Sequence, residues 1–259
     1  MKILLVNKYL YRKGGAETYF IKLGEYLKSL GNEVEYFGMA DERNCVGNRV
    51  EAYTENIDFH KKSLKHITYP FKIIYSVNAR KQIRKVLSDF KPDVVHLNNF
   101  NYQLTPSIIY EIKKHNIPIV YTAHDVQLVC PNHKLKNDYT DGLCRKCDGG
   151  KYFECVKNNC VHSSKIRSIL GAVEAWYYKL RHTYKMIDLT VCPSEFMEKE
   201  ISRNDDINGR TVTMYNFIDE IKPLGAECEN YVLYFGRYSE EKGISNLVKA
   251  AKKLSNIPF

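Results

Sequence analysis

The chain has 259 residues, 44% hydrophobic and 27% charged, a composition typical of a soluble globular protein with one large domain and part of another. No apolar run approaches the ~20 residues that span a bilayer, and the N-terminus lacks the apolar segment of a signal peptide, so we expect a cytoplasmic protein. The net charge of +9 favours an anionic partner such as a nucleotide or an anionic lipid surface. The 20 tyrosines form no RNA-binding motif, and we predict no nucleic-acid partner.

The first 31 residues predict a strand, a glycine turn and a helix. Residues 2–7 have the length and apolar character of a buried parallel strand. Gly14 and Gly15 then lead into a predicted helix. The unpaired backbone N–H groups at its N-terminus lie at the positive end of the helix dipole and form an anion-binding site, for which phosphate is the usual ligand. Arg12 and Lys13 add positive charge beside this turn. The alternative is a tight connection that binds nothing.

Predicted strands and helices alternate from residue 1 to about residue 221. The strands cover 2–7, 33–39, 49–54, 94–97, 117–123, 186–192 and 210–215, and the helices include 105–116, 163–184 and one that begins after Ser194. This alternation predicts a doubly wound parallel sheet, in which ligands bind beyond the carboxyl ends of the strands. The candidate residues at that edge are Gly14, Gly15, Asn98, His124, Asp125, Ser194 and Asn216.

Residues 60–90 predict two basic amphipathic helices, split near Tyr69 and Pro70. Such helices can lie on an anionic membrane surface. The alternative is that they pack on the sheet and leave their charged face in water.

A second unit is predicted after a linker at 222–230. A strand at 231–235, a loop at 236–243 and a helix at 244–254 form one βα unit. Because one such unit cannot bury its own apolar face, we expect the chain to be truncated within a second domain. The predicted domains are 1–222, with a cysteine-rich insert at 125–162, and 223–259.

Five of the eight cysteines cluster within the insert. Two pairs of thiolates can bind zinc tetrahedrally, which would stabilise a polar loop. Unliganded thiols, disulfides and an iron–sulfur cluster are the alternatives. The five residues are Cys130, Cys144, Cys147, Cys155 and Cys160.

Six short motifs together resemble family 4 of the retaining, nucleotide-sugar-dependent glycosyltransferases, which have the GT-B fold. They occur in family order and cover nearly the whole chain. The motifs are Gly14-Gly15-Ala16-Glu17, Asp93-Val94-Val95-His96, Tyr121-Thr122-Ala123-His124-Asp125, Cys192-Pro193-Ser194-Glu195, Asn216-Phe217-Ile218-Asp219 and Gly236-Arg237-(four residues)-Lys242-Gly243.

The resemblance implies two Rossmann-like domains that transfer a sugar from a nucleoside diphosphate donor to an acceptor, with no metal required for catalysis. It implies that Gly14 and Gly15 face the donor diphosphate and that Arg237 and Lys242 neutralise it as the leaving group gains charge. His124 is the implied active-site histidine, for which a structural or capping role is the alternative. Further implied donor or acceptor contacts are Glu17, Asn98, Asp125, Ser194 and Asn216, of which Ser194 and Asn216 could instead be a helix cap and a turn residue.

The expected function is sugar transfer to a lipid-linked or saccharide acceptor in surface polysaccharide synthesis, with peripheral contact to the inner face of the plasma membrane. A complete family member has most of a second domain, so we expect this chain to be incomplete as an enzyme. One alternative is a non-catalytic remnant or binding module that needs a separate donor domain. A nicotinamide-dependent oxidoreductase is disfavoured because the first turn lacks G-x-G-x-x-G.

Overall fold

The computed structural model describes residues 1–56, 69–137, 142–207, 209–218, 230–236, 238, 242–254 and 257–258, with the backbone alone at 69–71. The chain divides into two compact units, Met1–Phe217 and Ile218–Phe259. The division falls five residues before the boundary predicted at 222.

Unit 1 is built on one six-stranded sheet in which every neighbouring pair of strands is parallel. The strand order is β2-β1-β3-β4-β5-β6. The predicted α/β doubly wound fold is therefore confirmed, with most strands shorter than predicted. The strands are β1 Lys2–Val6, β2 Glu33–Phe37, β3 Val94–Leu97, β4 Ile119–Thr122, β5 Leu189–Cys192 and β6 Thr211–Thr213.

Helices connect the strands, as parallel pairing requires. Residues 148–150 and 183–186 form short 3₁₀ helices. The α-helices are α1 Gly15–Ser29, α2 Tyr69–Ile74, α3 Val77–Phe90, α4 Ser107–Lys114, α5 Phe153–Lys157, α6 Lys165–Leu180, α7 Glu195–Ile201 and α8 Ile244–Lys253.

Alternate residues of β1 enter different hydrophobic clusters because successive side chains in a strand point to opposite faces. Leu4 and Val6 belong to the larger cluster, which includes residues of α3 and α4. Ile3 and Leu5 belong to the smaller cluster with Phe20 of α1. The sheet is thus buried on both faces, which leaves its edges and strand ends for binding.

The direction of the chain along the sheet reverses between β1 and β3. From β1 the chain moves outward to β2 and then returns to β3 on the other side of β1. The loops after β1 and β3 therefore diverge and leave a crevice at the carboxyl edge, the usual ligand position in open α/β sheets.

The strand predicted at 49–54 is wrong: the segment begins with a turn and forms no regular strand. Asn48 and Ala52 exchange two hydrogen bonds of 3.0 Å between side chain and backbone. Glu51 has a left-handed φ of 48°. A single parallel bridge, Met39 to Thr54, remains of the predicted pairing.

The basic helical segment is largely a packing element where it is described. Residues 57–68 lie outside the described part of the chain. A break between helices falls after Ile74, and Ser76 caps α3 by accepting from Ala79 N at 3.1 Å. The split predicted near Tyr69 and Pro70 stays a prediction, because the residues before it lie outside the described part of the chain. Arg80 and Arg84 of α3 bind the buried Glu111 of α4 at 2.8 and 2.6 Å. The alternative of a helix packed on the sheet is thus supported for α3.

In unit 2, α8 confirms the predicted helix, but residues 230–236 form no strand. Val232 N donates a hydrogen bond of 2.9 Å to Pro258 O, which is an isolated backbone contact. Throughout the described chain, no helix is both long and apolar enough to cross a membrane.

Candidate functional site

The glycine turn forms the N-terminus of α1 as predicted. Gly14 is the N-cap, in extended conformation, and no side chain of a described residue caps the helix there. Both glycines are exposed, and Glu17 of the first turn is buried. The first amides of α1 therefore lie at an exposed turn, at the positive end of the helix dipole, where an anion can bind. Arg12, expected to add charge beside them, forms an ion pair of 3.8 Å with Glu25.

Asn98 and His124, which follow β3 and lie just beyond β4, meet at the sheet edge. His124 Nε2 lies 2.9 Å from Asn98 Oδ1. Burial lowers the pKa of His124 to about 4, with Asp125 opposing the effect, so the ring is neutral at pH 7. Since Asn98 Oδ1 can only accept, Nε2 carries the proton and Nδ1 is left as an acceptor. Asn98 is fully buried, and its Nδ2 has no partner among the described residues.

A second polar chain lies beside this pair and was not predicted as part of the site. His96 Nε2 lies 2.8 Å from Thr122 Oγ1, and Tyr19 of α1 lies near Thr122. The Tyr19 ring packs edge-on against His124, with 5.4 Å between centroids, and lies 5.2 Å from the ring of Phe217. These contacts bring α1, β4 and the loop after β6 together around His124.

Asp125 extends the site toward the cysteine-rich insert. His133 Nδ1 lies 3.4 Å from Asp125 Oδ2, and the His133 ring stacks on Tyr102 with 5.8 Å between centroids. Burial opposes ionisation of Asp125, but His133 holds its pKa below the usual value. Glu174 of α6 lines a cavity of about 20 Å³ with His133, and burial raises the pKa of Glu174 to about 7.

Lys8 follows β1 and lies at the crevice between β1 and β3. Two backbone hydrogen bonds hold Lys8 in place. Lys8 N donates to Asn99 O at 2.7 Å, and Lys8 O accepts from Met39 N at 3.0 Å. Lys8 Nζ donates to Asn101 Oδ1 at 3.0 Å. Burial, and secondarily Lys13, lowers the pKa of Lys8 to about 8.

Of the other four predicted site residues, two belong to unit 1 and two to unit 2. Ser194 accepts from Met197 N at 3.2 Å and so caps α7, the alternative given by the sequence. Asn216 is exposed in the loop after β6. Arg237 lies outside the described residues, and Lys242 is an exposed residue of unit 2 just before the N-cap of α8. The predicted diphosphate clamp of Arg237 and Lys242 stays a prediction.

The five clustered cysteines do converge in the insert. They line one cavity of about 10 Å³. All are free, and burial together with the neighbouring thiols raises the pKa of Cys147 to about 12. The described residues contain no group of three or more His, Cys, Asp or Glu side chains that could hold a metal ion. Zinc therefore stays a prediction from the sequence.

An ion pair fastens the insert to α7. Glu200 is fully buried, and Arg145 binds it with both Nε and a terminal nitrogen, the Nε bond being 3.1 Å long. Arg203, one turn further along the chain, binds Asp148 of the insert. The insert is therefore held through charged side chains as well as by its own small hydrophobic cluster.

Sequence reasoning missed Lys8, Tyr19 and Tyr102. Lys8 directly follows a predicted strand, so the rule that selected Asn98 and His124 could also have selected it. Tyr19 lies in the helix predicted after Gly15, and nothing in its neighbourhood along the chain indicates that it meets His124. The position of the Tyr102 side chain depends on a left-handed backbone conformation, with a φ of 58°, which the sequence does not predict.

The model of the family described as Glycosyltransferase Family 4 matches residues 13–221. The chain belongs to this family. The matched range begins just before the glycine turn and includes Asn98, His124 and the cysteine-rich insert.

Among curated proteins, an uncharacterized 42.6 kDa protein in the cps region of Klebsiella pneumoniae is 25% identical over 268 aligned positions. The alignment covers 97% of this chain and 65% of that protein. Among solved structures, Anabaena HepE in complex with UDP has a TM-score of 0.46 at 15% identity, covering 85% of this chain and 45% of the other. Sucrose-phosphate synthase of Thermosynechococcus elongatus has a TM-score of 0.48 at 14% identity, covering 83% and 47%. The chain thus spans about half to two thirds of these proteins.

Proposed function

We propose that this family 4 glycosyltransferase chain is a retaining transferase in which unit 1 supplies the acceptor side. In the proposed reaction, a sugar moves from a nucleoside diphosphate to a lipid-linked or saccharide acceptor during surface polysaccharide synthesis. The relative in the cps region supports the polysaccharide context. One observation carries the proposal. The N-terminus of α1, with its exposed glycine turn, and a neutral His124 held by Asn98 both lie at the carboxyl edge of the sheet.

The proposed chemistry follows from these two groups. The α1 amides stabilise the negative charge that the leaving diphosphate gains as the glycosidic bond breaks. His124 Nδ1 accepts a hydrogen bond from a hydroxyl of the reacting sugar, while Asn98 fixes the ring through Nε2. Arg237 and Lys242 add cations on the donor side, as the family resemblance implies.

The test is a screen of nucleoside diphosphate sugars with the purified chain. Release of nucleoside diphosphate is measured with and without a saccharide acceptor, and the anomeric configuration of the product is read by NMR. We expect His124→Ala to reduce the rate at least 100-fold. The matched control, His115→Ala, changes an exposed histidine at the end of α4 and leaves the rate unchanged. Inversion of configuration, or equal rates for the two variants, contradicts the proposal.

A second candidate is a binding module that needs a separate donor domain. The observation that favours it is in unit 2, where α8 is the one regular element among the described residues. Such a module binds acceptor alone and transfers sugar only after a second chain with a complete donor domain is added. The screen distinguishes the two candidates when it is repeated with that chain present.

A lipid-linked acceptor would bring the protein to an anionic membrane surface. Co-sedimentation with vesicles of phosphatidylglycerol and phosphatidylcholine at low salt tests this contact. We expect binding that weakens as salt screens the charges. No sedimentation at low salt restricts the acceptor to soluble saccharides.

A further inference from the structure

A lysine lies at the crevice between β1 and β3. Lys8 is half-buried, and its ammonium group has three N–H bonds, of which Asn101 accepts one. Among the described residues, Lys8 forms no ion pair within 4 Å. A buried cation that is not paired is costly in free energy, and an anion in contact with it would remove that cost.

Two tyrosine rings form the walls around this ammonium group. Lys8 Nζ lies 4.9 Å from the ring centroid of Tyr9 and 4.9 Å from that of Tyr102. Lys13 Nζ lies 3.7 Å from the Tyr9 centroid, so two cations converge on one aromatic ring. Aromatic faces attract a cation without neutralising it, so the positive charge stays available to a ligand.

The carboxylates nearest to Lys8 do not neutralise it. Glu17 and Asp125 favour its charged form, but burial and Lys13 outweigh them. Asp125 is already engaged by His133. The positive charge at the end of β1 therefore comes from Lys8 and Lys13 together.

We propose that Lys8 and Lys13, flanked by Tyr9 and Tyr102, form a subsite for an oxyanion carried by the acceptor, either a phosphate or a sugar carboxylate. The subsite lies where the strand order reverses, the usual ligand position in this type of sheet. It is built from unit 1 alone, which the family resemblance assigns to the acceptor. The assignment to acceptor instead of donor rests on the proposed function; oxyanion binding itself does not.

Calorimetric titration of the full chain tests the subsite with four probes. Glycerol 1-phosphate represents a phosphate, glucuronate a carboxylate, methyl glucoside a neutral sugar and UDP the donor diphosphate. We expect one of the two oxyanion probes to bind, and Lys8→Met and Lys13→Met each to weaken that probe at least tenfold. Lys85→Met, the same change at an exposed position of α3, leaves affinity unchanged. Whichever oxyanion binds identifies the acceptor class.

A second readout guards against loss of folding in the Lys8 variant. In the chain with ¹³C-methylated lysines, NMR follows the Lys8 signal against pH, and we expect the pH of its titration midpoint to rise when the oxyanion binds. Separately, we expect Lys8→Arg to retain the affinity for the oxyanion within about threefold. Oxyanion binding that does not respond to Lys8→Met, or an effect confined to UDP, overturns the proposal. Oxyanion binding without any sugar transfer leaves the subsite intact and contradicts the proposed function instead.

Discussion

His124 Nε2 is 2.9 Å from Asn98 Oδ1, and this bond joins the ends of two adjacent strands, β3 and β4. It fixes both the orientation of the imidazole and the nitrogen that carries its proton. The consequence is a histidine that presents Nδ1 as an acceptor while it stays neutral at physiological pH.

A carboxylate in place of the Asn98 amide is expected to raise the pKa of His124. In Asn98→Asp, the new anion next to Nε2 raises the pKa of His124 from about 4 by roughly 1–3 units. The imidazole Cε1–H resonance followed against pH by NMR measures this change. Asn98→Leu serves as the comparison, because it removes the bond without adding charge; an equal rise in both variants contradicts the assigned contact.

Acid is expected to destabilise the protein through its neutral histidines. Burial lowers the pKa of His96 and of His124 from 6.5 to about 4. Below pH 6.5 the unfolded chain binds protons that the folded chain does not, so stability falls as pH drops from 6.5 toward 4, by up to roughly 3 kcal/mol for each histidine. Urea unfolding at several pH values measures the fall. His124→Gln is expected to reduce it by about half, whereas His115→Gln leaves the pH slope unchanged.

Gly15→Ala separates anion binding from folding. Gly15 needs no left-handed conformation, and a Cβ there meets no heavy atom within 4 Å. We therefore expect the free energy of unfolding to change by less than about 0.5 kcal/mol, because the site is exposed. The methyl group covers amides that a diphosphate would approach, and affinity for nucleoside diphosphates falls about tenfold or more. Unchanged affinity with unchanged stability removes the α1 amides from the donor site.

Metal analysis decides the role of the clustered cysteines. If the zinc prediction is right, protein purified under reducing conditions contains about one zinc per chain, and Cys147→Ser or Cys155→Ser loses it. Cys45→Ser, a change at an exposed cysteine outside the cluster, retains the metal. Less than about 0.1 zinc per chain, together with full reactivity of the thiols in unfolded protein, assigns the five residues as free thiols.

Local signals in the sequence predicted most of the sheet and part of the site. The apolar runs of β1 and β3–β5, the Ser194 cap and the placement of Asn98 and His124 at strand ends all follow from residues close in the chain. The prediction of a strand at 49–54 is wrong because the Asn48 side chain accepts a hydrogen bond from Ala52 N, which a neighbouring strand would otherwise bind. Composition alone does not show this competition.

The remaining part of the site depends on contacts between distant segments. Lys8 resembles any surface lysine until Tyr102, 94 positions later, packs beside it. Tyr19 becomes part of the site only in the folded chain, where His124, just beyond β4, packs edge-on against its ring. Burial and neighbouring charge set the behaviour of such residues, and both arise only in the folded chain.

The Arg145–Glu200 pair makes the cysteine-rich loop inseparable from the helix beneath it. If this loop were removed or replaced, Arg145 would be lost and the buried Glu200 carboxylate would have no cation to pair with. A chimera that replaces this loop with another therefore has to change position 200 together with it.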